Sequence, residues 1–124
     1  MTVVVDSDVL IDVLRGIPTA AAFLKSLDRR PVCSEVTRVE VLRGMRAHER
    51  RDTQRLLSLV GWAPIDEEVS TTAGELGRRF RGSHALAVPD LLVAATAERL
   101  GLPLATRNVR DYPMFPGLEP AYRR

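Results

Sequence analysis

The residues that most constrain this chain stand at its start, Thr2-Val3-Val4-Val5-Asp6-Ser7-Asp8-Val9-Leu10-Ile11-Asp12. Three consecutive β-branched valines read as a strand buried on both faces, the condition of a parallel sheet covered by helices. An acid follows such a run directly only where the strand leaves the core, so Asp6 marks its exit. In an open parallel sheet the carboxyl ends of the strands line the crevice where ligands bind, which makes an aspartate there a candidate for cation or phosphate chemistry. Asp6, Ser7 or Asp8 can equally cap the helix that Val9, Leu10 and Leu14 suggest, and this stretch alone leaves both roles open.

Strand and helix signals then alternate. Asp8 to Leu14 reads as a short helix ended by Gly16 and Pro18, and a second helix follows with Thr19 as its cap and Ala22, Phe23 and Leu27 on one face. Pro31-Val32-Cys33 is a second buried strand, opening at Ser34 onto a helix with Val36, Val39 and Leu42 inward and Val41 flanking. Residues 50–59 form another helix and Trp62-Ala63-Pro64-Ile65 a third strand. Asp66 caps a helix that turns Val69, Ala73 and Leu76 inward and closes at Phe80. Pro89 opens a strongly apolar helix that Gly101 ends, Pro103-Leu104-Ala105-Thr106 is the fourth strand, and residues 118–122 can add a fifth at the edge. The alternation predicts a three-layer α/β/α fold around a central, mainly parallel sheet of four to five strands.

A length of 124 residues suits one domain, residues 1–124, with a core that needs no metal or disulfide staple. The lone Cys33 cannot form an internal disulfide and reads as a small buried strand residue. No run of roughly 18 apolar residues offers a membrane span. The first residues lack a basic leader, apolar run and cleavage site, so the expected compartment is the cytoplasm.

Within this topology, acids from separated segments can converge on one end of the sheet. Glu40 lies near the apolar stripe of its helix, whose side chains lean toward the crevice end, although a solvated pair with Arg43 explains it as well. Asp90 sits in the first turn of a helix that must run down to the start of the fourth strand. That makes it a candidate neighbour of Asp6, while the helix dipole alone would also favour an acid there. Residues 106–112 bring Thr106, Asn108 and Asp111 to the same edge, unless they only close a turn. Clustered carboxylates raise one another's pKa unless a cation compensates. Hard oxygen donors with room for water suit Mg²⁺ or Mn²⁺, and no His or Cys spacing supports zinc. A divalent ion lowers the pKa of bound water and stabilises the oxygens of a phosphodiester displacement, so the chemistry points to a metal nuclease.

The basic residues suit a nucleic-acid partner in kind more than in number. Net charge is only +2, but Lys25 is the sole lysine, and arginine's planar fork matches phosphate. Arg78, Arg79 and Arg81 surround Phe80, a pattern that can track an RNA backbone or simply complement a helix dipole.

VVVDSDVLIDVLRG at residues 3–16, SEVTRVEVLRG at 34–44 and VPDLLVAATAERLGLPLATRNVRDY at 88–112, in that order and spacing, resemble a PIN domain, specifically the VapC toxins of bacterial type II toxin–antitoxin systems. The match covers nearly the whole chain. It implies a Mg²⁺- or Mn²⁺-dependent endoribonuclease with Asp6, Glu40 and Asp90 at the family's acidic metal-site positions. The family's fourth acid falls either at the position of Asn108, here an amide, or at Asp111, and the expectation is Asp111 with Asn108 as a neutral neighbour. Ser7, Ser34 and Thr106 would orient carboxylates or water by hydrogen bonding. The resemblance further implies an RNA substrate, a homodimer and neutralisation by a VapB-like antitoxin, an arginine of which can pair with the carboxylates.

Two other readings compete. Asp6-Ser7-Asp8-Val9 resembles the nucleophile motif of haloacid dehalogenase-like phosphatases, but that chemistry needs a lysine near a later strand end and Lys25 comes too early. A non-catalytic PIN-fold module that binds RNA or protein is the other, and Asn108 is the feature that leans toward it.

Overall fold

The computed structural model describes residues 1–124. Its elements are β1 (Val4–Val5), α1 (Ser7–Leu14), α2 (Pro18–Ser26), β2 (Val32–Ser34), α3 (Glu35–Arg43), α4 (Arg50–Ser58), β3 (Gly61–Ala63), α5 (Glu67–Phe80), α6 (Val88–Leu100) and β4 (Leu104–Ala105). Single 3₁₀ turns precede α4 at Ala47–Glu49 and follow β4 at Val109–Asp111. The four strands form one parallel sheet in the order β3-β2-β1-β4, with Val4 opposite Val32 and Leu104.

The valine run explains the layering. Alternate residues of a strand face opposite sides, and Val4 packs among Val69, Ala73, Leu76 and the α6 residues Leu91 to Ala97 on one face. Val5 packs on the other with Val9, Leu10, Val41, Leu56 and Leu57. Both valines are fully buried. The three-layer α/β/α architecture is therefore the one expected from the sequence, with β1 central.

Four local expectations need correction. Residues 118–122 are not a strand: Pro116, Gly117 and Pro120 break the ladder, leaving one backbone bond from Ala121 N to Thr106 O at 2.9 Å. The sheet thus has four strands. On α3, Val39 and Leu42 are exposed, Thr37 and Val41 are buried, and Val36 is half-buried against the core as expected. Reading the i, i+3 apolar spacing favoured the wrong stripe, because the true i, i+4 pair includes a threonine. The second helix begins at Pro18, with Ile17 before it, so Thr19 is not its cap, and Ala20 rather than Ala22 is buried. Proline is well placed there because the first turn needs no N–H from it. The third strand spans Gly61–Ala63 and stops before Pro64.

A buried acid outside the crevice ties α1 to the end of the chain. Asp12 is 2% exposed and accepts the Tyr122 hydroxyl at 2.8 Å and Arg124 Nη2 at 2.7 Å. Arg107 Nε also lies 2.7 Å from it, with its N–H directed off that line, so the contact is an ion pair rather than a hydrogen bond. Burial alone would raise the Asp12 pKa, but the Arg124 and Tyr122 hydrogen bonds and the Arg107 charge hold it below the usual carboxylate range. A depressed folded-state pKa contributes stability above the unfolded value that disappears as pH falls through the folded one. Asp12→Asn is expected to cost about 2 kcal/mol, less than a fully buried pair because both arginines reach solvent. Thermal melts of the two proteins should differ at pH 7 and converge in acid.

Candidate active site at the carboxyl ends of the strands

β1 delivers Asp6 to the top of the sheet, at the strand's exit, where it takes the capping role that the sequence offered. As the N-cap of α1, its Oδ1 accepts the Ser7 N–H at 2.8 Å. Its Oδ2 accepts the hydroxyls of Thr106 at 2.9 Å and Tyr112 at 2.8 Å. Asp6 is 4% exposed, and burial pushes its pKa up against the opposing pull of these donors, with Glu40 adding repulsion.

α3 brings Glu40 to the same point. Ser34 starts the helix by accepting Val36 N–H at 3.2 Å, so its hydroxyl serves as a cap and touches none of the acids. Glu40 Oε1 accepts the Ser7 hydroxyl at 2.9 Å, and no ion pair joins Glu40 to Arg43.

α6 carries Asp90 in its first turn, and Gly101, in a left-handed conformation at φ 65°, ends the helix so that the chain can enter β4. Asp90 approaches Asp6 through Tyr112, whose hydroxyl lies 3.5 Å from Asp90 Oδ1 while donating to Asp6. Burial first, then the charges of Asp111, Asp6 and Glu40, raise the Asp90 pKa to about 7. Ser7 thus links Asp6 to Glu40, and Tyr112 links Asp6 to Asp90.

The segment after β4 is pinned by an acid that sequence reasoning weighed only as a cap. Asp8 Oδ2 accepts the backbone N–H groups of Arg107 at 2.9 Å and Asn108 at 3.1 Å. This fixes the turn that holds Asp111 and Tyr112. Burial, followed by the charge of Asp6, raises the Asp8 pKa. The Asn108 side chain is exposed, and beside it a cavity of about 500 Å³ is lined by Arg107, Asn108, Val109, Arg110 and Asp111. Tyr112, 1% exposed and stacked on Phe115, was missed. Its only sequence signal is an aromatic residue with a polar tip directly after an acid.

Arg78, Arg79 and Arg81 are exposed at the end of α5, and none reaches a crevice carboxylate. Arg79 lies over the Phe80 ring at 5.2 Å. This end of α5 flanks the start of α6, since a Cβ at Gly77 would meet Leu91 Cδ1 at 3.1 Å. Lys25 lies beside Pro31 and Val60, the residues that precede β2 and β3, and so at the opposite end of the sheet from Asp6. A phosphatase built on Asp6 has no lysine in reach.

The donor set fits a hard divalent cation. Asp6, Glu40, Asp90 and Asp111 have no ion-pair partner, whereas Asp12 nearby has two arginines. No three acids already close on a single point. Magnesium commonly takes one or two carboxylates and completes its shell with water and phosphate oxygens, so the arrangement suits it. Cys33 is buried with its thiol pushed up to about 12 and offers no zinc ligand.

A parallel α/β/α sheet with unpaired carboxylates at its strand ends defines a class of protein, and the PIN domain family model matches residues 3–112. The Mycobacterium tuberculosis proteins Ribonuclease VapC10 and Ribonuclease VapC19 are 42% and 38% identical to this chain, over 97% and 95% of it and 92% and 98% of their own lengths. The chain belongs to the VapC family of PIN-domain proteins. Among solved structures, a toxin–antitoxin complex from Klebsiella pneumoniae superposes with a TM-score of 0.84 at 25% identity, covering 98% of this chain and 99% of that one. FitAcB from Neisseria gonorrhoeae gives 0.73 at 26% identity, covering 90% and 91%. DNA-bound VapBC from Salmonella typhimurium shares the fold at a TM-score of 0.81, with 20% identity and 96% of each chain covered.

Proposed function

We propose that this protein is the toxin of a type II toxin–antitoxin system, a Mg²⁺- or Mn²⁺-dependent endoribonuclease that hydrolyses RNA phosphodiester bonds in the cytoplasm. The observation that carries this reading is that Asp6, Glu40 and Asp90 are linked at the strand ends through Ser7 and Tyr112, and that neither they nor Asp111 has an ion-pair partner. Asp6 and Asp90 hold the ion, with Glu40 as a further ligand or a base. Glu40 is oriented by the Ser7 hydroxyl and Asp6 by that of Thr106. The bound ion supplies positive charge against the charge that develops on the phosphodiester. Asp111 adds negative potential at the mouth, and Asn108 stands beside it as a neutral donor. Arg78, Arg79 and Arg81, on the flank of the crevice, meet the RNA backbone as point contacts to phosphate.

The relatives named ribonucleases support RNA as substrate. A solved toxin–antitoxin neighbour supports a VapB-like antitoxin as partner. An arginine of such a partner would find four unpaired carboxylates and form charge-assisted bonds with them. A homodimer follows from the same family reading.

Purified protein incubated with RNA in Mg²⁺, Mn²⁺ or excess chelator tests the proposal. Cleavage with either metal and none with chelator is expected. RNA binding without cleavage under all three conditions would instead favour the non-catalytic module, a reading that the amide at Asn108 supports.

A further inference from the structure

The crevice acids are not simply near one another, because one side chain from a fifth position stands between two of them. Tyr112 is 1% exposed, its ring stacks on Phe115 with centroids 6.4 Å apart, and its hydroxyl lies 2.8 Å from Asp6 Oδ2 and 3.5 Å from Asp90 Oδ1. A phenol has one proton to donate. The shorter contact assigns it to Asp6, so toward Asp90 the same oxygen acts as a spacer.

Counting lone pairs shows what this does to Asp6. An ionised carboxylate offers about four acceptor sites. Ser7 N–H uses one on Oδ1, and the Thr106 and Tyr112 hydroxyls use two on Oδ2. Thr106 also lies 3.2 Å from Asp8 Oδ2, but that oxygen already takes two backbone amides, and the 2.9 Å contact to Asp6 is shorter. Asp6 is therefore locked about its terminal torsion, with a single site open on Oδ1.

We infer that Tyr112 is a positioning residue for divalent-cation binding: its hydroxyl fixes the rotation of Asp6 and the spacing between Asp6 and Asp90. The inference rests on the reading that this pair holds the ion. Without the hydroxyl, Asp6 Oδ2 keeps one donor of two, the carboxylate turns more freely, and the two acids lose the atom that spaces them. Hydrogen-bond partners behind metal ligands commonly contribute tenfold or more to affinity.

Tyr112→Phe keeps the buried ring and its stacking on Phe115 and removes only the oxygen. Mn²⁺ binding followed by electron paramagnetic resonance, with no RNA present, should show affinity weakened by about tenfold. Cleavage at saturating Mn²⁺ should recover to near the parent rate, so the defect lies in metal affinity rather than turnover. p-Aminophenylalanine at position 112 restores a donor at the same reach and should restore parent affinity, which keeps the test decisive if the phenylalanine variant folds poorly. Parent-like Mn²⁺ affinity in Tyr112→Phe would overturn the inference and leave the metal reading intact. Failure of the parent itself to bind Mn²⁺ would overturn both.

Discussion

Asp6→Asn is expected to lower RNA cleavage by about 10³-fold while leaving the fold in place, the largest functional effect of any single substitution in the crevice. Three features of the site set this expectation. Asp6 is the most buried of the four acids and sits at the end of the central strand, so no neighbouring carboxylate can swing into its place. Its charge is the part that asparagine removes. Its capping role survives, because asparagine caps a helix about as well as aspartate and one amide oxygen can still accept the Ser7 N–H. The amide nitrogen then faces the Thr106 and Tyr112 hydroxyls, which can rotate to accept from it, so the stability cost should stay near 1 kcal/mol. A large loss of cleavage with a nearly unchanged melting curve is the expected pair of results. An active Asp6→Asn protein would remove this residue from the chemistry.

The second large effect is a stability that falls as pH rises when divalent ions are removed. Asp90 has a folded-state pKa of about 7 against an ordinary value of 3.8, through burial and the charges of Asp111, Asp6 and Glu40. Below pH 4 the group is protonated in both states and contributes no difference. Between roughly 4 and 7 the unfolded chain releases the proton while the folded one retains it, so stability declines across that window and levels off above it. The full shift corresponds to about 4 kcal/mol at 1.36 kcal/mol per unit. Asp90 is partly open to solvent, and screening reduces the expected loss to about 2 kcal/mol. Asp6 and Asp8, also raised by burial, act in the same direction. Asp12 acts oppositely and only in stronger acid, below the ordinary carboxylate value, so the two effects separate by pH. Excess Mn²⁺ should raise the melting temperature more at pH 7.5 than at pH 5, since the ion competes with the proton that Asp90 otherwise holds. A chelated protein whose melting temperature is level or rises between pH 5 and 7.5 would contradict the electrostatic picture of the crevice.

These expectations depend on features that were unequally legible in the sequence. The valine run and Asp6 were readable because the signal is local: a two-faced strand forces its first acid to the exit. Asp90 was readable one step further on, because a helix feeding a parallel strand must run antiparallel to it. Glu40 needed more, since periodicity alone favours a solvated partner of Arg43, and the contact to Ser7 that turns it away from that partner is not a local signal. Tyr112, Asp8 and Asp12 were invisible as organisers of the site. Their decisive contacts span about a hundred residues, from Asp6 to Tyr112, Asp8 to Arg107 and Asp12 to Tyr122, and no local pattern encodes such pairs. The α3 face was misassigned because burial there includes Thr37, which apolar periodicity discounts. Ser34 was expected to orient a carboxylate or water; its hydroxyl accepts the Val36 N–H as the cap of α3 and bonds to no carboxylate.

Anomalous diffraction from crystals soaked in Mn²⁺ at pH 7.5 locates the ion relative to these carboxylates. The expected peak lies within coordination distance, about 2.2 Å, of carboxylate oxygens of both Asp6 and Asp90. A crevice without a peak at saturating Mn²⁺, or a peak held by Asp90 and Asp111 with Asp6 uninvolved, would contradict that placement.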